Sequence, residues 1–354
     1  MTERAFSVVR TSGRQRIGLG VLVVIVAVGA SVPLWASTRT ARTLISFLTL
    51  LAFAEMWNLL GGYAGMVSVG QQAYIGIGAY SLWFFSDRVG LQPFLGVPIA
   101  GVIAALIAVP TAVLVFRLRG GYFAIGTWVV AETYRLILSN NTGSGGGTGV
   151  TVTSASQMGQ TMRLYGTYWM ALVVAVGAIL IVYFLLRSRT GLALTSIRDN
   201  EVASQSLGVR VWRTKLWVYV LSAFGFGAAG AVAYLNLLRI QPDAAFSINW
   251  TAYTIFIVVI GGVGSIEGPI IGTIVYFSLQ ETLAKYGSWY LVLLGVIAIA
   301  ITTWSPGGIW GFVQRHWNVQ LFPVHRGLRL AEAVGPPEDS AVCAVDEPSA
   351  WQGT

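Results

Sequence analysis

Apolar positions along this chain gather into blocks of about 20 residues separated by short polar links, the pattern of helices that cross a bilayer. The blocks fall near 17–37, 43–61, 67–86, 94–116, 120–138, 164–186, 216–238, 251–264, 269–283 and 289–304. Those at 251–264 and 269–283 are short for a hydrocarbon core of about 30 Å, which predicts half-helices or a tilted re-entrant pair. The predicted fold is all-α, a polytopic helical membrane protein with about 8–10 transmembrane segments, some broken or re-entrant. Its divisions are an N-terminal segment at 1–16, a membrane domain at 17–316 and a tail at 317–354. The block at 17–37 follows Arg4, Arg10, Arg14 and Arg16, but it is long for a signal-peptide core and "PLWAST" is a poor cleavage site, so it is expected to be a retained span.

The stretch "GGYAGMVSVGQQAYIGIGAY" at 61–80 needs a separate account. It is uncharged and holds Gly61, Gly62, Gly65, Gly70, Gly76 and Gly78, although each glycine costs a helix about 1 kcal/mol relative to alanine. Broken helices are tolerated in a membrane where neighbours or a cavity satisfy the backbone, and discontinuous helices lining a midplane site recur in transporters. Ser68, Gln71, Gln72 and Tyr74 would then offer neutral hydrogen-bonding groups to a small polar or zwitterionic solute. The competing reading is plain helix packing, with the glutamines joining helices.

Composition agrees with the blocks: 55% of the 354 residues are hydrophobic and 10% charged. The net charge of +8 would suit a nucleic-acid binder, but its distribution reads as topology. With both termini inside, only Arg39, Arg42, Arg88, Arg135, Arg163, Arg239 and Lys285 of the 22 basic residues lie outside. Nucleic acid is therefore not an expected partner; a lipid membrane is. The single cysteine, Cys343, allows no internal disulfide, and His316 and His325 lie near the tail. No metal or other cofactor is expected.

Two hydrophilic loops remain. The outer one, 139–163, is rich in Gly, Ser and Thr and reads most simply as a solvated linker. The inner one, 187–215, carries Leu194, Ile197, Val202 and Leu207 among charged and small residues, and reads as short surface helices stopped by Gly208. Neither Lys215 nor Lys285 sits in a P-loop. "GFGAAG" at 225–230 matches a dinucleotide motif but falls inside a span, where small residues serve close helix approach. No catalytic set is present, so an enzyme is not expected. Inside the spans Glu55 and Glu132 are the clear ionisable groups, and such carboxylates face a partner or a wet path. Glu132 has Arg135 on its own helical face, and Glu55 has Asn58.

Five ordered blocks carry a resemblance: "WNLLGGYAGMVSVGQQAYIGIGAY", "FRLRGGYFAIGTWVVAETYRLIL", "RTGLALTSIRDNEVASQSLGV", "VVIGGVGSIEGPIIGTIV" and "WSPGGIWG". Over roughly 43–313 the chain resembles the branched-chain amino-acid ABC-transporter permeases of the LivM type, and the tail lies outside the resemblance. What this implies is an ABC importer permease fold in a bacterial inner (cytoplasmic) membrane. It also implies a second homologous permease, two cytoplasmic ATPase subunits and an extracytoplasmic solute-binding protein. ATP hydrolysis would belong to the partners. In this likeness the 187–215 loop is the ATPase-docking loop, with Gly191, Arg198, Asp199, Glu201, Ala203 and Gly208 as coupling candidates, and Glu55, Asn58, Ser68, Gln71, Gln72, Tyr74 and Glu132 are the candidate substrate path. Members of the broader family carry urea and short amides, and an ion-coupled carrier or channel is the alternative from another class.

Overall fold

The computed structural model describes residues 6–9, 27, 29–33, 36–283, 289–305, 307–317 and 327–330. Most of the expected first span, most of the 1–16 segment and nearly all of the tail, with Lys285, His325 and Cys343, lie outside the described residues. The chain divides into two compact units. In the smaller, formed by 1–13 and 325–354, Phe6–Val9 pairs antiparallel with Gly327–Leu330.

The larger unit, 14–324, is helical. In chain order its helices are α1 (Thr38–Asn58), α2 (Gln72–Trp83), α3 (Pro93–Val115), α4 (Gly121–Asn140), α5 (Thr153–Ser156), α6 (Gln160–Arg187) and α7 (Arg189–Asp199). They continue as α8 (Glu201–Ser206), α9 (Val211–Leu237), α10 (Pro242–Ala245), α11 (Ile248–Gly261), α12 (Glu267–Leu283), α13 (Trp289–Trp304) and α14 (Gly308–Trp317). Among the described residues, six helical stretches are long and apolar enough to cross a membrane: Thr38–Tyr63, Pro93–Val115, Gln160–Arg187, Val211–Leu237, Pro242–Gly261 and Val292–His316. With 14 and 17 residues, α11 and α12 measure about 21 and 25 Å at 1.5 Å per residue, so neither alone spans a core of about 30 Å.

Local chemistry accounts for the ends of the helices around the glycine-rich stretch. Ser37 caps α1 by accepting from the Thr40 N–H at 3.2 Å, and the helix unwinds through a π turn at Leu59–Tyr63. Gly65 then adopts φ +67°, a left-handed conformation that a side chain disfavours. The chain resumes helical form only at Gln72, so the block expected to be a span at 67–86 begins five residues late. Close approach fixes the intervening path: at Gly70 a Cβ would collide with the backbone of Thr127 on α4.

The centre of the unit is α9, packed against α1, α2 and α3. Its small residues fall where the "GFGAAG" motif lies: Gly225 faces Met56, Gly227 faces Ala104, and Gly230 meets the backbone of Ile75. Gly78 of α2 lies against the Gly227 carbonyl. Small side chains here let three helices approach until dispersion contacts are made.

The helices leave two ends with different chemistry. One gathers the π turn after α1, the loop 262–266 and the α7–α8 elbow with Arg187, Arg189, Arg198, Arg210, Arg213 and Lys215. The other gathers 84–92, 141–159 and 239–245. The loop read as a solvated linker is ordered at this second end, which corrects that expectation. Val150–Thr151 pairs antiparallel with Arg239–Ile240, and Asp87 caps α5 through Thr153 and Ser154. The Gly, Ser and Thr content that resembles a linker supplies the tight turns and donors of this small scaffold, including Gly145 and Gly149 at positive φ.

Candidate functional site

Most of the candidate path residues cluster where α1 breaks and α2 begins. Glu55 and Asn58 lie on the last turns of α1, while Ser68, Gln71, Gln72 and Tyr74 lie along the break and the first turn of α2. All six are buried, with Glu55 at 0% and Gln71 at 1% exposure.

Hydrogen bonding sorts these six into two groups. Asn58 spends both ends of its amide on the loop between α11 and α12: Nδ2 donates to the Ser265 carbonyl and Oδ1 accepts from the Gly264 N–H, each at 2.8 Å. Ser68 Oγ accepts from the Gly70 N–H at 3.3 Å, and its carbonyl accepts from Trp57 Nε1 at 2.9 Å. Gln72 engages Thr251 of α11, its backbone N–H donating to Oγ1 and its Oε1 accepting from that hydroxyl. Tyr74 donates to the Tyr219 hydroxyl on α9 at 2.9 Å. Asn58, Gln72 and Tyr74 thus link separate segments, while the Ser68 hydroxyl bonds within the break itself.

Glu55 and Gln71 form the second group. Among the described residues neither side chain has a hydrogen-bonding partner. Leaving a polar group buried and unpaired costs about 1–3 kcal/mol, so these two side chains beside the broken helix are costly to the fold. Glu267, in the first turn of α12, adds a second buried carboxylate that interacts electrostatically with Glu55. Sequence reasoning missed Glu267, although a lone acidic residue within the apolar, glycine-rich "GGVGSIEGP" was the signal for it.

Glu132 belongs elsewhere. On α4 it accepts from Arg135, whose guanidinium also reaches Asp243 of α10, so the expected ion pair extends to a third residue 108 positions away. A carrier using both Glu55 and Glu132 as cation sites therefore finds one of them already paired with Arg135. A cavity of about 630 Å³ is apolar and lies between α2, α3 and α4 at the loop end, lined by Ile77, Tyr80, Phe84, Ile103, Ile107 and Leu138, apart from the polar cluster.

The coupling candidates divide similarly. Gly191 is buried where α7 turns back against α6, and a Cβ there would overlap the backbone of Leu186. Gly208 closes the elbow at φ +83°. Ala203 donates its N–H to the Asn200 Oδ1 that caps α8, at 3.0 Å. Glu201 is paired with Lys215 at 2.7 Å. Arg198, with 41% of its side chain exposed, reaches back to the core, donating from Nη1 to the Gly62 carbonyl at 3.0 Å. Asp199 faces outward with 71% of its side chain exposed, beside Val202 at 71% and Leu207 at 81%. Charged and apolar groups together on a short, solvent-facing elbow have the makeup of a docking surface. Among the described residues, no three His, Cys, Asp or Glu side chains come together as a metal site.

A multi-pass helical core, two short helices, an interrupted helix lined by buried polar groups and a protruding elbow define a membrane permease. The family of the permease components of branched-chain amino acid transport systems matches residues 17–302, and the chain belongs to it. It is 26% identical over 314 residues to the high-affinity branched-chain amino acid transport system permease protein LivM of Escherichia coli, covering 81% of this chain and 74% of that one. Its likeness to the protein of the same name from Salmonella typhimurium is 27% over 278 residues, covering 71% and 65% of the two chains. A probable branched-chain amino acid transport permease protein LivM of Methanocaldococcus jannaschii is 22% identical over 306 residues, covering 71% and 87%. No solved structure matches the chain.

Proposed function

We propose that this permease subunit forms, with a second homologous permease, the translocation path of an ATP-driven importer for branched-chain amino acids in a bacterial inner membrane. The elbow end faces the cytoplasm and receives two ATPase subunits, and the opposite end receives a solute-binding protein. The observation that carries the proposal is the family match across 17–302, and the charge asymmetry of the loops supports the orientation. Within the chain, the α1–α2 break supplies the path, with Glu55 and Gln71 as the groups left to meet solute or water. The elbow supplies the partner contact, with Asp199, Val202 and Leu207 outermost.

Purification in mild detergent followed by reconstitution with the ATPases and binding protein tests this. ATP-dependent uptake of labelled leucine, isoleucine or valine is the expected result. Uptake indifferent to ATP depletion, or copurification without any ATPase, would refute it.

A further inference from the structure

At the elbow end three segments distant in sequence meet on one guanidinium. Arg198, in the last turn of α7, donates from Nη1 to the Gly62 carbonyl in the π turn that ends α1. Its backbone and stem press on Gly65, where an added Cβ would stand 3.2 Å from Cγ of Arg198. The same Nη1 lies beside Gly264, where an added Cβ would stand 3.3 Å away. Gly264 and Ser265 are in turn clamped to α1 by Asn58. Both helix interruptions in the polar cluster, the one after α1 and the one between α11 and α12, are thus tied to each other and to the elbow.

Physical chemistry favours a cation at this place. The last carbonyls of a helix lack intrahelical donors and carry the negative end of its dipole, so a guanidinium there makes a charge-assisted bond. The planar fork of arginine can hold one carbonyl while packing flat beside a glycine of another segment; an ammonium cannot. Glycine at 65 and 264, both at positive φ, leaves the room.

We propose that Arg198 is a positioning residue that locks the elbow to both helix breaks, so that displacement of α7 by a docked partner moves the two breaks together. This assigns Arg198 to transmission within the subunit and leaves partner contact to Asp199 and its exposed neighbours. The proposal rests on the importer reading for its function, but the lock itself can be measured on the chain alone.

The test uses Arg198→Gln and Arg198→Lys. Hydrogen exchange on the full-length subunit in detergent is expected to rise at 59–66 and 262–268 in Arg198→Gln, with 165–180 in α6 unchanged. In the reconstituted complex, solute moved per ATP is expected to fall about tenfold while ATPase binding stays within about twofold, and Arg198→Lys is expected to fall between. Unchanged exchange at either break, or loss of ATPase binding in parallel with transport, would overturn the proposal. Should Arg198→Gln not insert, Arg198→Lys decides alone by the same exchange readout. Failure of the importer reading is separate, since the wild-type complex would then show no ATP-dependent uptake whatever the exchange data.

Discussion

The Asp87 carboxylate accepts hydrogen bonds from Thr153 and Ser154, at 2.7 Å from the Thr153 N–H and 2.9 Å from the Ser154 N–H, with both hydroxyls also donating to it. One aspartate at the end of the α2 segment thereby satisfies the first N–H groups of α5, holding the loop 139–163 onto the helical core. Replacing Asp87 with Ala is expected to cost about 1 kcal/mol of local stability, as for a lost helix cap. Faster hydrogen exchange across 150–159, with none across α6, is the measurement.

The same carboxylate gives a pH dependence. Burial pushes its pKa up, but the bonds from Ser154 and Thr153 outweigh that and hold it below the ordinary 3.8. A depressed acid stabilises the fold above its unfolded pKa, and this contribution is lost as pH falls through the lower folded value. The cap is therefore expected to be intact at neutral pH and to open only below about pH 3.8, a loss absent in Asp87→Asn. Exchange across 150–159 measured in acid, in detergent, checks the sign; opening near neutrality would contradict it.

Glu55 and Gln71 are expected to trade stability for function. Gln71→Leu removes an unpaired buried amide at similar volume, so it is expected to raise resistance to thermal unfolding in detergent by about 1 kcal/mol or more while lowering uptake. Glu55→Gln, which keeps shape and removes the ionisable group, is expected to leave folding intact and reduce uptake. Glu132→Gln, by contrast, leaves Arg135 its bond to Asp243, and its stability change is expected to stay under about 1 kcal/mol. Full uptake in Gln71→Leu would place the path elsewhere.

How much of this was legible in the sequence depends on the range of the interaction. The glycines at 61–70 signalled an interrupted helix, and the basic loop at 187–215 an elbow, because composition within a few residues determines both. The pairing of Asn58 with Gly264 and Ser265, of Gln72 with Thr251 and of Tyr74 with Tyr219 was not legible. Each is a side-chain contact across more than 140 positions, and hydropathy blocks carry no information on which helix meets which. For the same reason the division of the polar cluster into partnered and unpartnered groups appeared only in three dimensions. Arg198 looked like Asp199, its neighbour in a charged run, yet the guanidinium reaches back to the Gly62 carbonyl while Asp199 projects outward.

Close packing at the centre gives a prediction free of any functional assumption. At Gly78 an added Cβ would run into the Gly227 carbonyl of α9, which is backbone and cannot rotate away. Gly78→Ala is therefore expected to destabilise the subunit by about 1–3 kcal/mol, the usual cost of overpacking. Gly177, on the same kind of apolar helix but with open space around its Cβ position, is expected to accept alanine without loss. Parallel thermal unfolding of the two variants in one detergent makes the comparison; equal behaviour would mean that α2 and α9 are not in contact as described.

The outermost charge of the elbow supplies the sharpest test of partner docking. Asp199 is mostly exposed and its ion pair to Arg198 is long at 3.4 Å, so reversing its charge removes little from the folded subunit. Glu201 differs, because reversal also breaks its 2.7 Å pair with Lys215. Asp199→Lys is thus expected to leave insertion and thermal stability near wild type while weakening ATPase binding about tenfold or more, through like-for-unlike charge at an interface. Glu201→Lys should weaken both binding and the anchoring of α8, and the added exchange Lys215→Glu should restore the anchoring alone. ATPase pull-down titrations on the three variants separate the effects. Wild-type affinity in Asp199→Lys would show that the partner does not sit on this face, however well the remainder of the chain behaves.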